Sequence, residues 1–211
     1  MCKILVVSDV HGRLRDLRWV LAHETADAMF YLGDGLYDLN AALEMCKPPI
    51  PYPIYRVAGN CDVNYSEPSE GLAPFGGVLF FYTHGHHYGV KMGSERLAES
   101  AGERGADIAL FGHTHRQCVH ILGDGMEWLN PGSVSYHRQD DPDKDARYMV
   151  ITDGSIKMRS LPYPREPLLK ETFRQLKAGR MAEREMRYFF YYFGDAPDFD
   201  APLPNHDSVS G

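Results

Sequence analysis

Seven side chains with the chemistry of metal ligands recur along the first half of the chain: Asp9 and His11, Asp34, Asn60, His84, and finally His113 and His115. Each lies just past a short apolar run. Ile4-Leu5-Val6-Val7 leads into Asp9-Val10-His11-Gly12, Met29-Phe30-Tyr31-Leu32 into Gly33-Asp34-Gly35, and residues 54–58 into Gly59-Asn60-Cys61-Asp62. Residues 78–82 lead into Thr83-His84-Gly85-His86-His87, and 108–111 into Gly112-His113-Thr114-His115. Asp-x-His by itself is short enough to occur by chance. The repetition gives it weight, because the steps from Asp9 to Asp34, Asn60, His84 and His113 are 25, 26, 24 and 29 residues, about one strand-helix unit each. One ion does not need seven ligands, whereas two octahedral ions about 3.5–4 Å apart and bridged by a carboxylate do.

The elements that must position these groups read as an α/β pattern. Residues 3–7 form a buried strand, and Leu14, Leu17, Trp19, Val20 and Leu21 follow at helical spacing. A second strand over 29–32 precedes a second helix carrying Leu36, Leu39, Leu43 and Met45, which Pro48, Pro49, Pro51 and Pro53 stop. The third strand spans 54–58. Such alternation predicts parallel strands whose carboxyl ends share one edge, where ligands bind. Residues 63–76 read as a loop overhanging that edge. A strand over 78–82, entered by a hairpin through Gly76-Gly77, a helix through 95–103 and a strand over 108–111 follow. After residue 118 the segments 118–122, 126–129 and 148–152 are joined by Gly-Asp-Gly and Asp-Gly-Ser turns, as in antiparallel structure.

The 211 residues suffice for one domain with a substantial core. The net charge of −7 argues against a broad phosphate-backbone footprint and strong non-specific nucleic-acid binding. Cys2, Cys46, Cys61 and Cys118 show neither zinc-ribbon nor disulfide-framework spacing. No run of eighteen apolar residues occurs, and the apolar stretch before Asp9 is too short for a signal peptide, so a cytoplasmic protein without membrane association is expected. The chain divides into a domain over 1–160, a helical extension over 161–193 and a tail over 194–211 expected to be disordered. The run Tyr188-Phe189-Phe190-Tyr191-Tyr192-Phe193 must bury against the domain or a partner subunit, which makes a homo-oligomer one expectation.

Asp-x-His, Gly-Asp, Gly-Asn-x-Asp, His-Gly and Gly-His-x-His, in this order and spacing, resemble the calcineurin-like metallophosphoesterases, and more narrowly their small single-domain phosphodiesterase branch. The resemblance covers residues 3–155. It implies a four-layer α/β/β/α sandwich and two divalent ions, manganese foremost, with iron, zinc or nickel also accepted. It also implies Asp9, His11 and His115 around one ion, Asn60, His84 and His113 around the other, and Asp34 bridging. Two such ions with two carboxylates leave a charge of about +2, which attracts phosphate in an otherwise acidic protein and makes a bridging water nucleophilic near neutral pH. Hydrolysis of a small or nucleotide-like phosphodiester is the expected reaction, with Asn60 and His84 as catalytic groups. The rivals are a non-catalytic scaffold for protein assembly and a nuclease for short oligonucleotides.

The family's usual Gly-Asn-His-Asp is Gly59-Asn60-Cys61-Asp62 in this chain. A thiol donates a proton poorly, so esters with acidic leaving groups are expected to react faster than alkyl monoesters. Cys61 is a structural thiol or a nucleophile. Asp62 orients a ligand His or caps a turn. His86, His87 and Arg116 are candidates for substrate contact, and Asn130-Pro131-Gly132-Ser133 is a turn that flanks the site in the family.

Overall fold

The computed structural model describes residues 2–63, 65–121, 125–135 and 146–161. The expected helical extension with its aromatic run, and the tail, lie outside the described residues. Among the described residues ten strands and three α-helices follow one another: β1 (Lys3–Val7), α1 (Leu14–His23), β2 (Ala28–Tyr31), α2 (Leu36–Met45), β3 (Ile54–Arg56), β4 (Glu70–Phe75), β5 (Val78–Thr83), α3 (Glu95–Glu103), β6 (Ile108–Leu110), β7 (Gln117–Ile121), β8 (Glu127–Pro131), β9 (Arg147–Thr152) and β10 (Ser155–Ser160). They build two five-stranded sheets, ordered β10-β9-β1-β2-β3 and β4-β5-β6-β8-β7.

Side-chain alternation explains the layering. In β1, Ile4 and Val6 point one way, and Leu5 and Val7 the other. Leu5 and Val7 join Met29 and Tyr31 against Leu14, Leu17, Val20, Leu36 and Leu39 of α1 and α2. Ile4 and Val6 join Phe30 against Phe80, Tyr82, Leu110 and Leu129 of the other sheet. The far face of that sheet presents Phe81 and Ala109 to Leu97, Ala98 and Ala101 of α3. Three apolar interfaces therefore separate four layers, α/β/β/α. Both faces of each central strand are covered, which is why β1 and β2 read as unbroken apolar runs rather than alternating ones.

β1, β2 and β3 are mutually parallel, as are β5, β6 and β8. The sequence pattern implied one shared sheet edge; the structure instead sets the carboxyl ends of two sheets side by side. A second difference concerns 63–76, expected to be loop, where Glu70–Phe75 is strand β4 paired antiparallel with β5. Pro74 and Gly71 hide it in the sequence, yet an edge strand tolerates both. The hairpin turn is Gly76-Gly77, as expected, with φ of 61° and 83°, the paired positive values that a two-residue turn requires. No helix among the described residues is long and apolar enough to cross a membrane.

Candidate metal centre

The loops after β1, β2 and β6 carry site residues in a backbone conformation that L-residues avoid. Asp9, His11, Asp34, His113 and His115 have φ of 55°, 44°, 56°, 64° and 59°. Such residues cost of order 1–3 kcal/mol each and persist only where the surroundings impose them. The imposing contacts are visible. Asp9 N–H donates to Gly33 O (3.0 Å) and His11 N–H to Asp34 O (3.1 Å), while Ser135 N–H and Ser133 Oγ–H both donate to Asp9 O (2.9 Å each). These bonds tie the β1 loop to the β2 loop on one side and to the segment after β8 on the other.

Close approach of backbones is the second device. A Cβ at Gly59 would lie 2.1 Å from Asp34 Oδ1, and one at Gly112 would lie 2.0 Å from Ser8 Oγ. The glycines of Gly-Asn-Cys-Asp and Gly-His-Thr-His are therefore spaces for the neighbouring ligand loop.

The carboxylates are each half engaged. Asp9 is fully buried; its Oδ2 accepts from Ser8 Oγ–H (2.6 Å) and His113 N–H (3.0 Å), whereas its Oδ1 is buried without a hydrogen-bond partner. Around that orphaned oxygen stand His115 Nε2 at 3.1 Å, His11 Nε2 at 3.6 Å and His84 Nε2 at 4.0 Å. Asp34 Oδ1 accepts from Cys61 N–H (2.7 Å), leaving Oδ2 facing His84 Nε2 at 3.3 Å and His11 Nε2 at 3.6 Å. His84, also fully buried, donates Nδ1–H to Leu32 O (2.6 Å), which leaves its Nε2 a lone pair aimed at the centre, 3.1 Å from His113 Nδ1. His11 and His115 bring their Nε2 atoms within 3.3 Å of each other.

The electrostatics fit a site for cations. Burial opposes ionisation of Asp9, but the neighbouring imidazoles of His11, His115 and His84 outweigh it and hold the carboxyl well below its ordinary value. Asp34 is likewise lowered, burial being overcome by His84 and the Cys61 amide. Burial would lower His84, yet Asp34 and Asp9 raise it. His113 is pushed down to about 4 by burial and then by the charges of His84 and Lys91. Cys61 is pushed up to about 12 by burial and the negative Asp34, so its thiol stays protonated beside these carboxylates.

Of the seven expected ligands, six converge. Asp9, His11 and His115 form one group and Asp34, His84 and His113 another, with ligand atoms within 4.8 Å in each. Asn60 is exposed at the rim, its Nδ2–H directed to Cys61 Sγ (3.3 Å). The same Cys61 forms a third group with His11 and Asp34. An orphaned buried carboxylate oxygen ringed by imidazole lone pairs, with mixed N and O donors, fits divalent transition-metal ions.

Asp62 accepts from four backbone N–H groups: Asp34 and Gly59 at Oδ2 (2.8 Å each), Gly35 and Leu36 at Oδ1 (2.9 Å each). Of the two roles read for it, these bonds are those of a turn cap. His86 lies against His84 and His113, with ring centroids 5.3 and 6.1 Å away, and His87 packs on His86. Asn130 donates Nδ2–H to Gly112 O (2.8 Å) and Thr114 Oγ1 (3.1 Å), bracing the loop of His113 and His115. Sequence reasoning missed Ser8 and Asp38, whose Oδ2 accepts from Gly12 N–H (2.8 Å). Only Ser8, adjacent to Asp9, carried a local signal.

The model of the calcineurin-like phosphoesterase superfamily domain matches residues 2–153. The chain belongs to this superfamily. A probable metallophosphoesterase of Bacillus subtilis is 34% identical over 138 residues, covering 64% of this chain and 76% of the relative. Among solved structures, an archaeal phosphodiesterase superposes with a TM-score of 0.59 at 19% identity, covering 75% of this chain and 99% of that one. Vps29 of Entamoeba histolytica, solved in complex with zinc, superposes with a TM-score of 0.59 at 20% identity over 76% of this chain and 98% of that one. These two likenesses show the fold. Superfamily membership supports a hydrolase that binds divalent metal, for which the six convergent residues are candidate ligands.

Proposed function

We propose that the chain is a dinuclear, metal-dependent phosphodiesterase acting on a small or nucleotide-like phosphodiester in the cytoplasm. The observation carrying this reading is Asp34 Oδ2, which faces His84 Nε2 at 3.3 Å and His11 Nε2 at 3.6 Å, so that one carboxylate oxygen joins two ligand groups. Asp9, His11 and His115 would hold one ion and His84, His113 and Asn60 the other, with Asp34 available to both. When bound, a divalent pair of this kind, manganese foremost, supplies Lewis-acid activation of water and of the phosphoryl oxygens.

The protein's own contribution is preorganisation. Buried Asp9 and His84 cannot be hydrated from behind, so their free atoms point only inward. Asn60, which is exposed, also contacts the phosphoryl oxygens, whereas His84, with Nδ1–H bonded to Leu32 O and Nε2 turned to the centre, acts as a ligand. Cys61 occupies the place of the family's usual His and keeps its proton, so it helps an alkoxide leave only weakly. Diesters with acidic leaving groups are the favoured substrates. Four unpaired cysteines suit a reducing compartment.

The test is an activity matrix on purified protein: bis-p-nitrophenyl phosphate, p-nitrophenyl phosphate, a cyclic nucleotide and a short oligonucleotide, each with manganese, nickel, zinc and magnesium, alongside His115→Gln. Manganese-supported diester cleavage, lost in the variant, is expected. Faster monoester turnover would remove the argument from Cys61. Absence of turnover with every metal would favour the second reading, a scaffold for protein assembly. That reading draws on the Vps29 likeness and on Val119 and Ile121, exposed along edge strand β7. A nuclease is disfavoured by the net charge of −7.

A further inference from the structure

A cavity of about 400 Å³ opens beside the metal centre and shares His113 and His115 with it. Its other walls come from the segment before α3 and from the face of β7 that carries His120. In a chain of net charge −7 the lining is basic: Lys91, Arg116 and His120 contribute, and no Asp or Glu does. Glu95 lies against Gly93 at one rim, outside the lining. Among the described residues neither Lys91 nor Arg116 has a carboxylate partner. The backbone of Arg116 is held in place, since its main-chain N–H donates to Thr114 Oγ1 (3.2 Å), which in turn accepts from Asn130 (3.1 Å).

The remaining lining says what kind of group enters. Phe111 is 3% exposed and offers no aromatic face, while the His120 ring is engaged edge-on with Trp128 at 5.7 Å. No Phe, Tyr or Trp offers an open face to a base. The volume is at the lower end for ligand pockets, so the cavity suits a compact, charged group next to the scissile phosphate.

We propose that this cavity receives a second anionic group, a phosphate or carboxylate, carried on one organic arm of the phosphodiester. The proposal rests on the phosphodiesterase reading and narrows its substrates to diesters of phosphorylated or carboxylated alcohols. Lys91 and Arg116 select the substrate through charge, and the metal-bound phosphate is the reacting one.

Two p-nitrophenyl phosphodiesters separate the ideas, one with an ethyl arm and one with a 2-phosphoethyl arm. The manganese-loaded wild type is expected to prefer the phosphorylated arm by tenfold or more in kcat/KM. Lys91→Gln and Arg116→Gln should each cut that preference roughly tenfold, the usual effect of losing a hydrogen bond to a charged group. A preference equal in wild type and both variants would overturn the proposal, as would no preference at all. Calorimetric titration with propane-1,3-bisphosphonate and with ethylphosphonate supplies a readout independent of turnover. Tighter binding of the bisphosphonate, lost in both variants, supports the cavity even if no ester is cleaved, in which case only the phosphodiesterase reading falls. Equal binding of the two phosphonates overturns the cavity assignment whatever the turnover.

Discussion

Replacing Asp62 by Asn changes one oxygen into a donor and should damage two things at once. The carboxylate accepts from four N–H groups at 2.8–2.9 Å, two on each oxygen. An amide keeps one acceptor and turns its NH₂ toward two N–H donors, so two bonds are lost and two donors are left facing a third. At about 1.5–3 kcal/mol for each bond to a charged acceptor, the loss is roughly 3–6 kcal/mol. Part of that loss reflects the helix: Leu36 N–H opens α2, and Asp62 supplies the negative charge at its amino end. For a domain of this size the melting temperature should fall by about 6–24 °C. Urea unfolding of the metal-free Asp62→Asn protein measures the first effect, and a chelator competition measures the second. Asp34 is positioned by the same turn, so metal affinity should drop about 10–100-fold. A variant within about 0.5 kcal/mol of wild type and with unchanged metal affinity would refute the turn-cap reasoning.

Asp38 is pushed up to about 7 from its ordinary 3.8 by burial, against the Gly12 N–H bond and the charge of His11. The folded state therefore holds the proton more tightly than the unfolded state, so stability falls as pH rises from about 4 to about 7 and then levels off. In metal-free protein Asp38→Asn should flatten that slope by on the order of 2–4 kcal/mol, which urea unfolding at pH 4.5 and 8 would check. Asn130→Ala removes the brace between β8 and the loop of His113 and His115; metal affinity should fall about tenfold, read by chelator competition, with a stability loss of roughly 1–3 kcal/mol. Phe30, fully buried between the sheets with Phe80 and Tyr55 4.9 Å from its ring, should cost about 3–5 kcal/mol on change to Ala, measured in the same unfolding assay.

Most of the ligand-bearing loops were legible because each sits one or two residues past an apolar run, and such runs mark strands through local composition alone. Asp9, His11, Asp34, His84, His113 and His115 could be named from one-dimensional spacing for that reason. β4 was not legible, since an edge strand is stabilised by its partner β5 rather than by its own residues, and Pro74 and Gly71 argued against it. Asp62 could be noticed but not interpreted, because whether a carboxylate orients an imidazole or caps a turn depends on which donors lie within 3 Å.

What the sequence determined by itself was most of the strands and helices in their order, without β4 and β10, the candidate donor set and the family that follows from it. The two-sheet arrangement was reached through the resemblance, as apolar runs show that strands are buried without showing which strands pair. The tertiary structure decided that Asp34 presents one oxygen to both histidine groups, that Asp9 keeps an orphaned oxygen and that five site residues sit at positive φ. It also gathered Lys91, Arg116 and His120 around one cavity. These depend on contacts between loops up to about a hundred residues apart, and no local pattern encodes a distance across two sheets.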